Sequence, residues 1–210
     1  MEVGLSALEK LVATSSGPIA LGNVAADPTS PLALAALLAR CDGFYAFESA
    51  LHVFPSRSQH GEHSLREWNA PDLWRYEYES IPDDNDYVFF AEDVFGGQFA
   101  IAHETVSVFD PETGEFDPIA DDLEGWAQAL LTDYPNLTGH PLAHDWQSMH
   151  GPLRPGRRLI PKVPFVLGGD YAVENLYDAE AVHAMRYRGH LAAQMRDLPD
   201  GSAVRLRIID

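Results

Sequence analysis

The stretch from Tyr87 to Leu131, YVFFAEDVFGGQFAIAHETVSVFDPETGEFDPIADDLEGWAQALL, constrains the fold of this chain more than any other. It reads as strand, turn, strand, strand, turn, strand, helix. Tyr87 to Ala91 is rich in aromatic and β-branched residues. Gly96-Gly97 can turn the chain because glycine accepts positive φ. Gln98 to Ala102 resumes an extended pattern, and Val106 and Val108 alternate with Ser107 and Phe109 as in a two-faced strand. Pro111-Glu112-Thr113-Gly114 offers a turn before Glu115 to Ile119. Such a meander exposes an apolar face that a following helix can cover. The segment holds no nucleophile–base pair, no phosphate loop and no metal cage, so it predicts a binding scaffold with no catalytic residues.

That helix starts at Asp121-Asp122-Leu123-Glu124, whose carboxylates suit the positive end of the helix dipole. Leu123, Trp126, Ala127, Leu130 and Leu131 form its apolar stripe. Upstream, Leu5, Leu8, Leu11 and Val12 have helical spacing until Ser15-Ser16-Gly17-Pro18 ends it. A second helix begins at Ser30-Pro31, with serine as cap and proline tolerated at the first helical position, and runs to Arg40. Phe44 to Glu48 and Leu51 to Pro55 read as extended chain. Ser64 with Glu67 forms a capping box for a helix through Trp68, and Asn69 to Asp72 restarts a helix through Leu73, Trp74 and Tyr76. Ile81 to Asp86 is an acidic turn.

Past the central segment, a helix is expected between Pro141 and Met149. Residues 151–162, GPLRPGRRLIPK, read as a basic connector. Val163 to Leu167 and Tyr171 to Leu176 read as strands, Asp178 to Arg196 as a helix, and Ala203 to Ile209 as a last strand after the Pro199-Asp200-Gly201 turn. Gly189 argues against continuity of that helix. The expectation is an α+β fold. Residues 1–150 form its core, and residues 151–210 form a connector with a β-α-β extension of the same domain or a small appendage.

The chain has 210 residues and a net charge of −18, distributed unevenly. Residues 1–150 carry 5 Lys/Arg against 25 Asp/Glu, a balance of −20, whereas residues 151–210 carry 9 against 7, a balance of +2. An anionic excess of this size repels nucleic acid and favours basic protein partners. No apolar run approaches the roughly 20 residues of a bilayer span, so no membrane partner is expected. The N-terminus MEVGLSALEKLVA lacks the basic start of a signal peptide. Cys41 is the only cysteine, which fits a reducing cytoplasm.

Several residues resemble the SUKH superfamily. They are the helix ending in Asp42-Gly43-Phe44-Tyr45, the Leu51–Pro55 strand, the Phe89–Gly97 segment with Asp93 and Phe95-Gly96-Gly97, and the Leu123–Trp126–Leu130 helix. The resemblance covers roughly residues 30–135. That group includes a yeast regulator of cell-wall synthesis, the bacterial Syd protein, and many bacterial immunity proteins that neutralise secreted polymorphic toxins, often nucleases. It implies a bent, mainly antiparallel sheet flanked by helices, and it brings no shared catalytic residues.

The leading expectation is therefore an immunity protein that occludes a basic toxin domain with an acidic face. The candidate residues are Asp83, Asp84, Asp86, Glu92 and Asp93, with Trp68, Trp74 and Tyr76 as possible aromatic anchors. For Trp68 and Trp74, packing over the sheet edge is the competing and slightly favoured role. A regulator or scaffold of the cell-wall-synthesis type is the second reading. A metal-dependent hydrolase is the third. His140 and His144 lie one helical turn apart, a spacing that binds zinc when a third ligand converges, although capping or polar histidines explain the pair more simply. No cofactor or metal is expected.

Overall fold

The structure, a computed structural model, describes residues 4–22, 31–82, 86–196 and 198. The expected serine cap at Ser30, Asp83 and Asp84, and the last turn and strand from Pro199 to Ile209 lie outside these residues. Six antiparallel strands form the main sheet in sequence order: β1 (Phe44–Ala46), β2 (Leu51–Val53), β3 (Val88–Asp93), β4 (Gln98–Ala102), β5 (Thr105–Asp110) and β6 (Glu115–Ala120). Each strand pairs with its predecessor, so β1 and β6 are the two edges. Register shifts between Phe89 and Ala91 and between Val106 and Ser107 mark bulges, which bend the strands that carry them. The fold is α+β, with helices flanking the sheet.

The alternation of β3 decides what each face meets. Phe90 turns toward α4 (Leu123–Thr138), where its ring and that of Phe99 pack edge-on against Trp126 at 4.9 and 5.6 Å. Asp122 caps α4 by accepting from the Gly125 amide, so the acidic start expected from the sequence is a true N-terminus. Helix α1 (Ala7–Ala13) joins α4 through Glu124, whose carboxylate accepts from the Ala7 and Leu8 amides. Ser6 and Glu9 complete a capping box at its start. Helix α2 is Leu32–Arg40.

Phe89 points the other way, into Trp74 at 5.0 Å and Phe109 at 5.6 Å. Helix α3 (Leu65–Trp68) opens on the Ser64–Glu67 capping box read from the sequence. It delivers Trp68 onto Phe54 at 4.7 Å. The helix expected through Trp74 and Tyr76 is instead a turn followed by a 3-10 segment at Arg75–Glu77. Trp74 there is 0% exposed, and dropping out of the helical repeat is what lets its ring enter the core.

The basic stretch expected to be a connector contains a strand. Arg157–Pro161 is β7, paired antiparallel with β8 (Leu176–Glu180), and the segment expected as a strand at 163–167 is a loop with a 3-10 turn at Phe165–Leu167. Charge and proline made β7 look solvated, yet Arg158, Leu159 and Ile160 are all buried. Helix α5 is His140–His150 and helix α6 is Ala181–Met195. Ala181, Val182, Met185 and Ala192 of α6 belong to the same apolar core as the main sheet. Gly189 does not break α6. A Cβ there would stand 2.5 Å from Glu77 Cβ and 2.9 Å from the Tyr78 ring, so glycine allows the helix to lie close against the 75–78 segment.

No helix among the described residues is long and apolar enough to cross a membrane.

Candidate functional site

Glu92 and Asp93 end strand β3 and go to different environments. Glu92 joins a buried polar network. Cross-strand register places His52, Glu92 and Gln98 in a row on β2, β3 and β4. His52 Nδ1 lies 3.0 Å from Glu92 Oε1, and Gln98 Nε2 donates to Glu92 Oε2 at 3.2 Å. Gln98 Oε1 accepts from Trp68 Nε1 at 2.7 Å. From β7, Arg158 brings its Nε within 2.7 Å of Glu92 Oε1. The contact is an ion pair rather than an aligned hydrogen bond, since neither Nε nor Nη2 of Arg158 finds an acceptor in good geometry. Burial by itself would raise the Glu92 pKa, but the Arg158 charge and the His52 contact overcome it and hold the carboxyl at about 2. Glu62 closes the network. It accepts from Tyr45 Oη and from the Gly156 amide, and lies 3.6 Å from His52 Nε2.

Asp93 turns instead into a cleft of about 410 Å³. Its Oδ1 accepts from the Phe95 and Gly97 amides at 2.8 Å each, folding the chain into the tight turn that Gly96-Gly97 predicted. Gly96 has φ +77, and a Cβ on Gly97 would fall 2.5 Å from Asp93 Oδ2. Burial pushes the Asp93 carboxyl up to about 7, against the two amides and the nearby Arg188 charge. The β5–β6 hairpin adds Asp110 and Glu112, and the loop after β7 adds Phe165, Val166 and Tyr171. Burial also raises the Glu112 pKa, opposed by the Val166 amide, which donates to Oε2 at 2.9 Å.

Among the described residues, the expected acidic face does not assemble as a unit. Glu92 is 1% exposed and committed to Arg158, so it cannot meet a partner. Trp68 and Trp74, 1% and 0% exposed, are core rings and not anchors, because their indoles fill the space between the sheet and α3. Tyr76 remains on the surface with Arg186 stacked over its ring. Asp86 is exposed and precedes Tyr87, whose ring packs on Phe116 of β6. Asp93 lies in the cleft.

A different acidic surface is present on the β6 edge. Glu115, Asp117, Asp121 and Asp122 are exposed along this strand and the start of α4. Among the described residues, none of the four has an ion-pair partner within 4.0 Å. The sequence signal was present in ETGEFDPIADD, but a strand edge is a property of topology, and only the sheet order reveals it.

His140 and His144 lie in the first turns of α5, with ring centroids 6.1 Å apart. His144 Nδ1 pairs with Glu48 at 2.8 Å, which raises the His144 pKa through that hydrogen bond. Glu48 reaches it from an unusual turn in which Phe47, Glu48 and Ser49 all have φ between +52 and +66. Among the described residues no group of three His, Cys, Asp or Glu side chains is arranged to hold a metal ion.

No family model matches the chain, and no curated protein is similar to it in sequence. Among solved structures, the fold is similar to that in the crystal structure of Atu4351 from Agrobacterium tumefaciens. The TM-score is 0.58 at 11% identity, over 87% of this chain and 88% of that one. That likeness concerns the fold.

Proposed function

We propose that this protein is a non-enzymatic binding protein of the SUKH type, an immunity protein that holds a basic toxin domain against an acidic flank. The observation that supports the reading is the β6 edge. An edge strand usually carries charge to discourage uncontrolled pairing with other chains, and lysine is the common choice. Here the charges on this edge and the adjoining start of α4 are four carboxylates without ion partners among the described residues, within the 1–150 stretch whose balance is −20. Their field speeds encounter with a cationic surface and selects against anionic ones. The resemblance over residues 30–135 supplies the immunity role.

The test is co-purification from the native host followed by identification of bound proteins. A basic protein should be retained at low salt, released by about 0.5 M salt as screening takes hold, and lost when Glu115, Asp117, Asp121 and Asp122 are changed to Gln or Asn. Co-expression should protect cells from that partner. Recovery of no basic protein, or retention indifferent to these four changes, counts against the reading.

A further inference from the structure

The Asp93 cleft combines features that ask for a specific cation. Glu112 is 5% exposed, lines the cleft, and has no cation within 4.0 Å among the described residues; Asp93 and Asp110 share that lack. A buried carboxylate without a counter-ion is costly. Among the described residues Arg188 is the one cation in the wall, and its guanidinium is spent on two backbone carbonyls and the Met185 sulfur. Nη1 donates to the Phe95 carbonyl at 2.6 Å, and Nε to the Ala184 carbonyl at 3.3 Å. It offsets part of the charge from a distance and leaves three carboxylates facing one guanidinium.

The rim has the complementary property. Phe165 and Tyr171 stack face to face, centroids 4.0 Å apart and planes 3° from parallel, and Phe95 meets Phe165 edge-on. Tyr171 is 69% exposed, and Val163 and Val166 near it are 46% and 45% exposed. An exposed tyrosine backed by a half-buried phenylalanine beside a carboxylate-lined cleft suits a long side chain with an apolar stem and a flat charged head. A guanidinium stacks on aromatic faces and forks onto carboxylates, which an ammonium does less well.

We propose that the cleft between Asp93, the Asp110–Glu112 hairpin and the Phe165–Tyr171 loop receives an arginine side chain from a basic partner protein. The head meets Asp93, Asp110 and Glu112, and the stem lies along Tyr171. This deepens the acidic-flank reading and rests on it for the identity of the occupant. The cleft and the β6 edge share the β5–β6 hairpin, so one partner surface can reach both.

The test is an NMR titration of the 210-residue chain, labelled with ¹⁵N, with the blocked peptide acetyl-Gly-Arg-Gly-amide. Its citrulline counterpart, of like shape without the charge, and agmatine, a free guanidinium compound, are the comparison probes. The expected result is saturable movement of the Phe95, Gly97 and Val166 amides with the arginine peptide, about tenfold weaker or absent with citrulline. Asp110→Asn and Tyr171→Ala should each weaken it about fivefold or more. Tyr171 is on the surface, so that variant stays informative if a change nearer the hairpin perturbs folding. Equal response to citrulline, or no cleft response, overturns the proposal. So does agmatine binding about tenfold tighter than the peptide, which would assign the cleft to a small free cation. Movement confined to Glu115, Asp117 and their neighbours overturns the cleft and leaves the acidic flank standing. Failure of the flank reading itself shows separately, as no basic protein in the co-purification.

Discussion

Glu92 Oε1 and Arg158 Nε stand 2.7 Å apart with both side chains almost fully buried, joining the middle of the six-stranded sheet to the β7–β8 hairpin. Removing one partner leaves the other charge in a low-dielectric site, at about 3–5 kcal/mol. Arg158→Met and Glu92→Gln should each lose stability of that order in urea unfolding, and the double variant should lose less than the sum of the two. Single losses under about 1 kcal/mol would mean that the pair is better solvated than its burial implies.

The adjacent carboxylates Glu92 and Asp93 make opposite contributions to pH dependence. Asp93 titrates in the folded state at about 7 against an ordinary value of 3.8. Between those values the folded chain holds a proton that the unfolded chain has released, so this group lowers stability as pH rises through that window. Glu92, held at about 2 against 4.5, adds stability that is complete above 4.5 and fades as pH falls toward 2. Asp93→Asn keeps an acceptor for the Phe95 and Gly97 amides while removing the charge. It should flatten the decline between pH 4 and 7 and raise stability at pH 8 by about 1–3 kcal/mol. Parallel urea curves at pH 5 and pH 8 decide it, and an unchanged pH slope would sink the assignment.

Gly189→Ala offers a test by sign. In an exposed helix the change stabilises by about 1 kcal/mol. In α6 the new methyl meets Glu77 and Tyr78, so a loss of about 1–3 kcal/mol is expected. A rise in the thermal midpoint would show that the 75–78 segment yields without cost.

Trp74→Ala and Tyr76→Ala separate core from surface within three residues. The first should cost about 3–5 kcal/mol, as for a buried large aromatic. The second should change stability by less than about 0.5 kcal/mol. If both variants unfold at the same denaturant concentration, the burial assigned to Trp74 is wrong.

How much of this was legible in the chain varies with the kind of signal. Ser64–Glu67, Asp122 and the β3 to β6 strands were readable because capping and alternation are local. The Glu92 placement was not, because it depends on an element distant in sequence, whereas for Trp74 the sequence already leaned toward packing against the sheet over an anchor role. Glu92 looks like a surface acid until Arg158 arrives from more than sixty residues away. Strand β7 was hidden for the same reason, since its two arginines mimic a solvated linker while Arg158 turns inward. The left-handed turn at Phe47–Ser49 carries no glycine and so gives no turn signal; contacts to α5 through His144 and Gln147 hold it. The cleft escaped because its three carboxylates, each unremarkable in sequence, converge only when β3 and the β5–β6 hairpin meet the loop after β7.

Strands β3 to β6 pair across short connections and can form from short-range contacts, which favours rapid assembly. During synthesis the whole meander, through Ala120, is made before Arg158. For that interval Glu92 has His52 and Gln98 for company and no arginine. The nascent domain is therefore least settled at its centre, and the last quarter of the chain completes its electrostatics.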